Sequence, residues 1–211
     1  MNSNVCATNV KIGGFDMAVL KRLLMILMLA VPVNAAASET AIFAGGCFWC
    51  MEKPFEQVEG VTAVISGYSG GKSSNPTYKT YGGDGHLEVV KVIFDAEKVS
   101  YDQLLDIFWR QIDPTDAGGQ FVDRGHEYST AIYYLNENQR KIALASKMKM
   151  SAKGIFGAAI VTPIKPASRF YAAEEYHQNY YKKNPVRYWY YRSRSGRDDY
   201  LETIWGEEAE H

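Results

Sequence analysis

The stretch Ala41-Ile42-Phe43-Ala44-Gly45-Gly46-Cys47-Phe48-Trp49-Cys50-Met51-Glu52 decides how this chain is read. Four small or apolar residues form a short buried strand, and the two glycines let the backbone turn tightly after it. Phe55, Val58 and the stop at Gly60 then describe a short helix. Pro54 is tolerated only close to a helix start, which places both cysteines at that helix's N-terminus. Unpaired amides there stabilise an anion, so they raise the thiolate fraction of a group whose free pKa is about 8.5. Phe48 and Trp49 wall the sulfur with aromatic surface, which suits a substrate carrying a methyl group or a soft sulfur atom.

Outward from this turn, Val61 to Tyr68 reads as a strand, followed by a loop through Gly70-Gly71 and Asn75-Pro76. His86 to Asp95 is the clearest strand. Leu87, Val89 and Ile93 share one face; Glu88, Val90, Val92 and Phe94 share the other, so one carboxylate lies on an apolar face. Ser100-Tyr101-Asp102-Gln103 is a capping box opening a helix whose apolar side is Leu104, Leu105, Phe108, Trp109 and Ile112. Ala131 to Leu135 is a strand, Asn136 caps a long helix to about Ala152, and Ala158 to Pro163 is a further strand. Ala172 to Lys183 reads as a helix broken by Asn184-Pro185, and the aromatic tail beyond it as mostly irregular. Hairpin-length and crossover-length connections are mixed, which favours an α+β two-layer sandwich over a doubly wound sheet.

Composition agrees with one globular domain. The 211 residues are 46% hydrophobic and 22% charged, with 18 Gly and 7 Pro, which excludes collagen-like and disordered classes. A formal charge of -1 gives no global pull toward nucleic acid or acidic lipid. Near the N-terminus, Lys21-Arg22, the apolar run Leu23 to Val33, and Asn34-Ala35-Ala36-Ala37 have the pattern of a secretory signal. The run is too short for a stable membrane span across ~30 Å of hydrocarbon. Residues 1–35 are therefore expected to be a signal peptide, with Met17 as a plausible start, and 36–211 a single catalytic domain. Cys6 leaves with the signal, and the expected compartment is periplasmic or secreted.

Other chemistries fit less well. A structural zinc site needs about four ligands, and the four histidines stand at none of the usual spacings from the cysteine pair. Gly67 to Ser73 resembles a phosphate loop, but its first glycine is displaced by one and no helix follows. A thioredoxin-like thiol–disulfide exchanger remains open, since a strand followed by C-x-x-C at a helix start is its signature. Tyr176 to Tyr191 interleaves with Lys182, Lys183, Arg187, Arg192 and Arg194, a pattern that suits base stacking. Packing of these rings over the sheet is the favoured reading, because the mature chain is net acidic.

Several motifs recur together in one family. They are Gly45-Gly46-Cys47-Phe48-Trp49 with Glu52, Asn75-Pro76-Thr77-Tyr78, Gly85-His86-Leu87-Glu88-Val89-Val90, the Asp123 to Tyr128 segment, and Ala173-Glu174-Glu175-Tyr176-His177-Gln178. From about Thr40 to Trp205 the chain resembles peptide methionine sulfoxide reductase, the type A enzyme. The resemblance implies the ferredoxin-like fold of that family, a mostly antiparallel sheet flanked by helices. It implies that Cys47 attacks the sulfur of methionine-S-sulfoxide, free or in proteins, and becomes a sulfenic acid. Glu88 matches the acid that protonates the departing oxygen, and burial on an apolar face is a physical reason for it to stay neutral. Tyr78 and Tyr128 match hydroxyl donors to that oxygen, Asp123 a supporting acid, and Phe48 and Trp49 the pocket for the ε-methyl group. No metal or organic cofactor and no nucleic acid are implied, and a monomer is expected.

Each residue also has a plainer reading. Glu88 reads equally as an edge-strand charge, the tyrosines as half-buried aromatics, Asp123 as a turn residue, Glu52 as a complement to the helix dipole, and His86 and His177 as structural hydrogen-bonders. Two departures from the family stand out. No cysteine follows Cys50, where many relatives carry recycling cysteines, and Tyr81-Gly82-Gly83-Asp84 replaces a Ser-Gly-x-Thr type of loop. Cys50 is therefore expected to resolve the sulfenic acid as a Cys47–Cys50 disulfide, which a thioredoxin-like reductant reopens.

Overall fold

A computed structural model of the chain describes residues 38–206. The expected signal segment lies outside these residues. No helix among the described residues is long and apolar enough to cross a membrane.

Strand β1 (Ser38–Gly45) runs into helix α1 (Phe48–Glu56), then β2 (Val61–Ser69), β3 (Leu87–Asp95) and α2 (Tyr101–Trp109). Two short strands, β4 (Gly119–Gln120) and β5 (Asp123–Arg124), form a small ribbon before a single 3₁₀ turn at His126–Tyr128. There follow β6 (Thr130–Tyr134), α3 (Glu137–Lys153), β7 (Ile164–Pro166) and β8 (Tyr171–Ala172). Three helices close the described chain: α4 (Tyr180–Lys183), α5 (Pro185–Arg194) and α6 (Arg197–Trp205).

The main sheet has the order β7-β6-β1-β3-β2-β8. Every neighbouring pair is antiparallel except β6 with β7. Period-two alternation sends Ala41, Phe43, Val90, Val92 and Phe94 to one face, where Phe48, Met51 and Phe55 of α1 and Leu104, Leu105 and Phe108 of α2 cover them. Phe43 stacks between Phe55 at 5.2 Å and Phe108 at 5.1 Å. Ile42, Ala44, Leu87 and Val89 face the other way, under Ala167 and Phe170. The expected α+β sandwich is what the chain forms.

Local signals hold where the backbone is satisfied locally. The Ser100/Gln103 capping box closes in both directions, and Asn136 accepts the Gln139 amide at 2.9 Å. The expected irregular tail is instead helical. Pro185 stands at the first turn of α5, where its missing N–H costs nothing, so it starts a helix rather than ending one. Gly196, at φ 78, then turns the chain into α6. The expected helix from Ala172 is also absent over most of its length. β8 pairs there with the β2 edge, and the Gln178 carboxamide extends that edge, accepting from the Ser66 amide and donating to its carbonyl, both at 2.9 Å. The expected strand Ala158–Pro163 begins only at Ile164.

Candidate active site

The site is assembled at the β1–α1 turn. Gly46 has φ 78, and a Cβ there would lie 2.6 Å from the Cβ of Gln120, so glycine is required for both conformation and space. Cys47 caps α1, and Cys50 lies one turn in, its amide donating to the Cys47 carbonyl at 3.1 Å. Cys47 is 6% exposed and Cys50 fully buried, and both are free thiols.

Glu88 comes to the same helix terminus from β3, paired across the sheet with Tyr68. Its Oε2 accepts the Phe48 amide at 2.9 Å, and its Oε1 accepts the Tyr81 hydroxyl at 2.9 Å. The carboxyl is thus beside the nucleophile candidate and buried, not an edge charge in water. Burial pushes its pKa up to about 8, against the opposing effect of those two hydrogen bonds. Tyr81 is a residue that pattern reading missed; it lies in the loop that departs from the family motif. The Tyr128 phenol interacts electrostatically with those of Tyr81 and Tyr78, so three phenols cluster around the carboxyl, with Tyr81 bonded to it directly. Burial raises all three above the ordinary tyrosine pKa, which keeps them proton donors. Tyr78 is half-exposed, and the Glu174 carboxylate anchors its amide at 2.9 Å.

The aromatic wall is divided between its two residues. Phe48 is only 1% exposed and packs in the main core, whereas Trp49 is partly open. Trp49 stacks on Tyr180 at 3.7 Å and donates its indole N–H to His177 Nδ1 at 3.1 Å. His177 therefore carries its own proton on Nε2, a buried atom with no partner in the structure. His86 is a structural hydrogen-bonder as expected: Gly71 donates to its Nδ1 at 3.2 Å. Glu52 does more than complement a dipole. Fully buried, it accepts from Ser66 Oγ at 2.9 Å and from the Asn179 and Tyr180 amides at 3.1 and 3.2 Å, tying the C-terminal segment to α1.

At the thiol pair, burial and neighbouring charge act alongside the helix terminus. Burial, then Cys50, then the acids Glu88 and Asp123 push the Cys47 thiol up, so Cys47 holds a proton in the resting site. The hydrogen bond from that thiol and the guanidinium groups of Arg197 and Arg192 bring Cys50 down to about 6 despite its burial. The two thiols thus share a hydrogen bond, and the arginines favour negative charge on the Cys50 side of it. Asp123, raised by burial, accepts the Tyr191 hydroxyl of α5, so the acid expected beside the nucleophile is present and screened by a phenol. Tyr191, Arg192 and Arg197 all come from the tail, where composition offered no signal of a role in the site. Among the described residues, no group of three or more His, Cys, Asp and Glu side chains could hold a metal ion.

A sequence profile described as peptide methionine sulfoxide reductase matches residues 39–209. The chain is 52% identical over 186 residues to peptide methionine sulfoxide reductase MsrA 2 of Rhizobium meliloti, covering 88% of this chain and 93% of that protein. It is 51% identical over 170 residues to MsrA of Bacillus subtilis, covering 80% and 96%. In three dimensions it is similar to reduced Mxr1 of Saccharomyces cerevisiae, with TM-score 0.67 and 30% identity over 72% of this chain and 89% of that one. It is also similar to methionine sulfoxide reductase A of Corynebacterium diphtheriae, with TM-score 0.63 and 34% identity over 72% and 78%.

Proposed function

The chain belongs to the peptide methionine sulfoxide reductase family, and from that premise we propose how its thiols and its buried carboxyl divide the work. It is an oxidoreductase that returns methionine sulfoxide to methionine and so repairs oxidised proteins. Family membership sets aside the thioredoxin-like exchanger as the chain's function.

In the proposed mechanism the Cys47 sulfur attacks the sulfur of a methionine-S-sulfoxide, free or in a protein, while its proton passes to Cys50. The sulfoxide oxygen takes a proton from Glu88 as negative charge builds on it, with Tyr78 and Tyr128 donating hydrogen bonds to the same oxygen. Trp49 lines the ε-methyl group, with Phe48 packed behind it. Methionine leaves, and Cys47 retains the oxygen as a sulfenic acid; substrate sulfur has gained the two electrons that Cys47 lost. Cys50 then attacks Cys47, forming a disulfide and releasing water, and a thioredoxin-like dithiol reduces the bridge. Asp123 holds Tyr191 and sets the local negative potential.

One observation carries this reading. The buried carboxyl of Glu88, neutral at pH 7, is hydrogen-bonded to the amide next to Cys47 at 2.9 Å. That supports a proton donor beside a nucleophile. The test is a single-turnover assay of each sulfoxide epimer without reductant, counting thiols before and after. The S epimer should yield one sulfide per enzyme with loss of both Cys47 and Cys50 thiols. Product from the R epimer alone, or a Cys50 thiol still free after turnover, would refute the assignment.

The remaining proposals concern setting. Residues 1–35 act as a secretory signal, so the mature enzyme works in the periplasm or outside the cell; separately, it works as a monomer and without nucleic acid. N-terminal sequencing of the exported protein, with its mass in solution, tests both points.

A further inference from the structure

Two arginines from the tail reach the thiol pair from behind. Arg197 is 1% exposed at the start of α6. Its Nη2 donates to the Gly45 carbonyl at 3.0 Å, its Nη1 to the Gln111 carbonyl, and its guanidinium lies 4.7 Å from the centre of the Phe121 ring. Among the described residues the buried Nε proton has no acceptor, and the acid that feels the Arg197 charge is Asp123 of β5. A buried guanidinium carries a desolvation cost of several kcal/mol, which nearby negative charge must offset. Asp123 supplies part of that charge, and the Cys50 thiol is the other ionisable group on which Arg197 acts.

Arg192 approaches along a different route. Its Nη1 donates to the Cys50 carbonyl at 3.2 Å and its Nη2 to Gln111 Oε1 at 3.4 Å, while its Nε bonds Asp198 at 2.8 Å. The Cys50 carbonyl is free to accept because residue 54, one turn on, is proline and has no N–H to return. Gln111 thus joins both arginines, one on the backbone of Cys50 and the other on the backbone preceding Cys47. Facing Cys50 from the packed elements are Cys47 of α1, Glu88 of β3, Asp123 of β5, Tyr188 and Tyr191 of α5, Arg192 and Arg197. Of these only the arginines are cationic.

We infer that Arg197 and Arg192 are positioning residues for the resolving step: their charge holds the Cys50 sulfur as the anion that attacks the Cys47 sulfenic acid. This inference rests on the reading of Cys50 as the resolving thiol. In the step, Cys50 gives up to the ionised Glu88 the proton it received from Cys47, a sulfur–sulfur bond forms, the Cys47 sulfur–oxygen bond breaks, and the oxygen leaves as water with that proton. Cys50 is oxidised as the sulfenic sulfur is reduced, so the sulfoxide already consumed is the only oxidant needed. The tail that carries no cysteine here contributes cations to a thiol located elsewhere in the chain.

The test has two independent readouts. The first is a pH titration of the enzyme with ¹³Cβ-labelled cysteine, Cys50 being assigned from a Cys50→Ser variant. The second is the pH dependence of disulfide closure after one turnover without reductant, followed by alkylation and mass spectrometry. Arg197→Met and Arg192→Met should each raise the Cys50 midpoint by about one pH unit or more, and slow closure about ten-fold below that midpoint. Arg197→Lys keeps the charge and loses the planar fork, so its midpoint should stay near wild type. Unmoved midpoints in both Met variants, or a Lys variant displaced as far as Met, would overturn the inference. The titration reads the resting thiol, so it decides this point even if turnover shows that another thiol resolves Cys47. Arg192, at the less enclosed position, keeps the test available if Arg197→Met does not fold.

Discussion

Glu88→Gln separates the chemistry of this site from its architecture. Glutamine preserves the size of the side chain and an oxygen for the Phe48 amide, and removes the acidic proton. Carrying a carboxyl from its usual 4.5 to about 8 corresponds to roughly 5 kcal/mol of preference for the neutral form. Two consequences follow with opposite signs. Between about 4.5 and about 8 the folded protein binds this proton more tightly than the unfolded chain, so wild-type stability falls as pH rises through that window. Glutamine has no such cost, so the variant should lose less stability between pH 5 and pH 9 in urea titrations, by about 4 kcal/mol. Catalysis should move the other way. A positioned acid is worth about 10²–10⁴ in rate, so kcat/KM should fall by at least about a hundred-fold. Wild-type kcat/KM should also be bell-shaped, rising as Cys50 ionises near about 6 and falling as Glu88 ionises near about 8, and the variant should lack the upper limb. A wild-type profile flat through pH 9, together with a variant within about ten-fold of wild type, would remove Glu88 from the acid role.

Other substitutions probe neighbouring parts of the argument. Cys50→Ser should give one sulfide per enzyme and then stop, with a sulfenic acid on Cys47 visible by mass spectrometry. Asp123→Asn removes a negative charge that raises both Cys47 and Glu88, so the upper limb of the pH profile should move to lower pH. Phe43→Ala empties the centre of the three-ring stack and should cost about 3–5 kcal/mol in chemical denaturation. Ser100→Ala opens the capping box of α2, and a loss of about 1 kcal/mol is expected by the same measurement.

Features that depend on residues close in sequence were legible. The turn at Gly45-Gly46, the two caps at Ser100 and Asn136, and the alternation that turns Glu88 inward each follow from short-range rules. The tail was not, because Pro185 and Gly196 start and join helices there but look like breakers when read alone. The segment after Ala172 failed for another reason: Gln178 replaces backbone pairing with its side chain, which propensity cannot express. At the site, the motifs identified Cys47, Cys50 and Glu88 but carried no signal of the arginines behind the thiol pair. The cations around that pair come from arginines more than 140 residues away, one of them held by a carbonyl that a proline's missing N–H leaves available.

The long reach of these contacts bears on biosynthesis. Trp49 waits for His177, Glu52 for Asn179 and Tyr180, Cys50 for Arg192, and the Gly45 carbonyl for Arg197. A ribosome must release almost the entire polypeptide before these partners can meet. The site therefore assembles late, and any product ending before α6 lacks the arginine behind its own thiols.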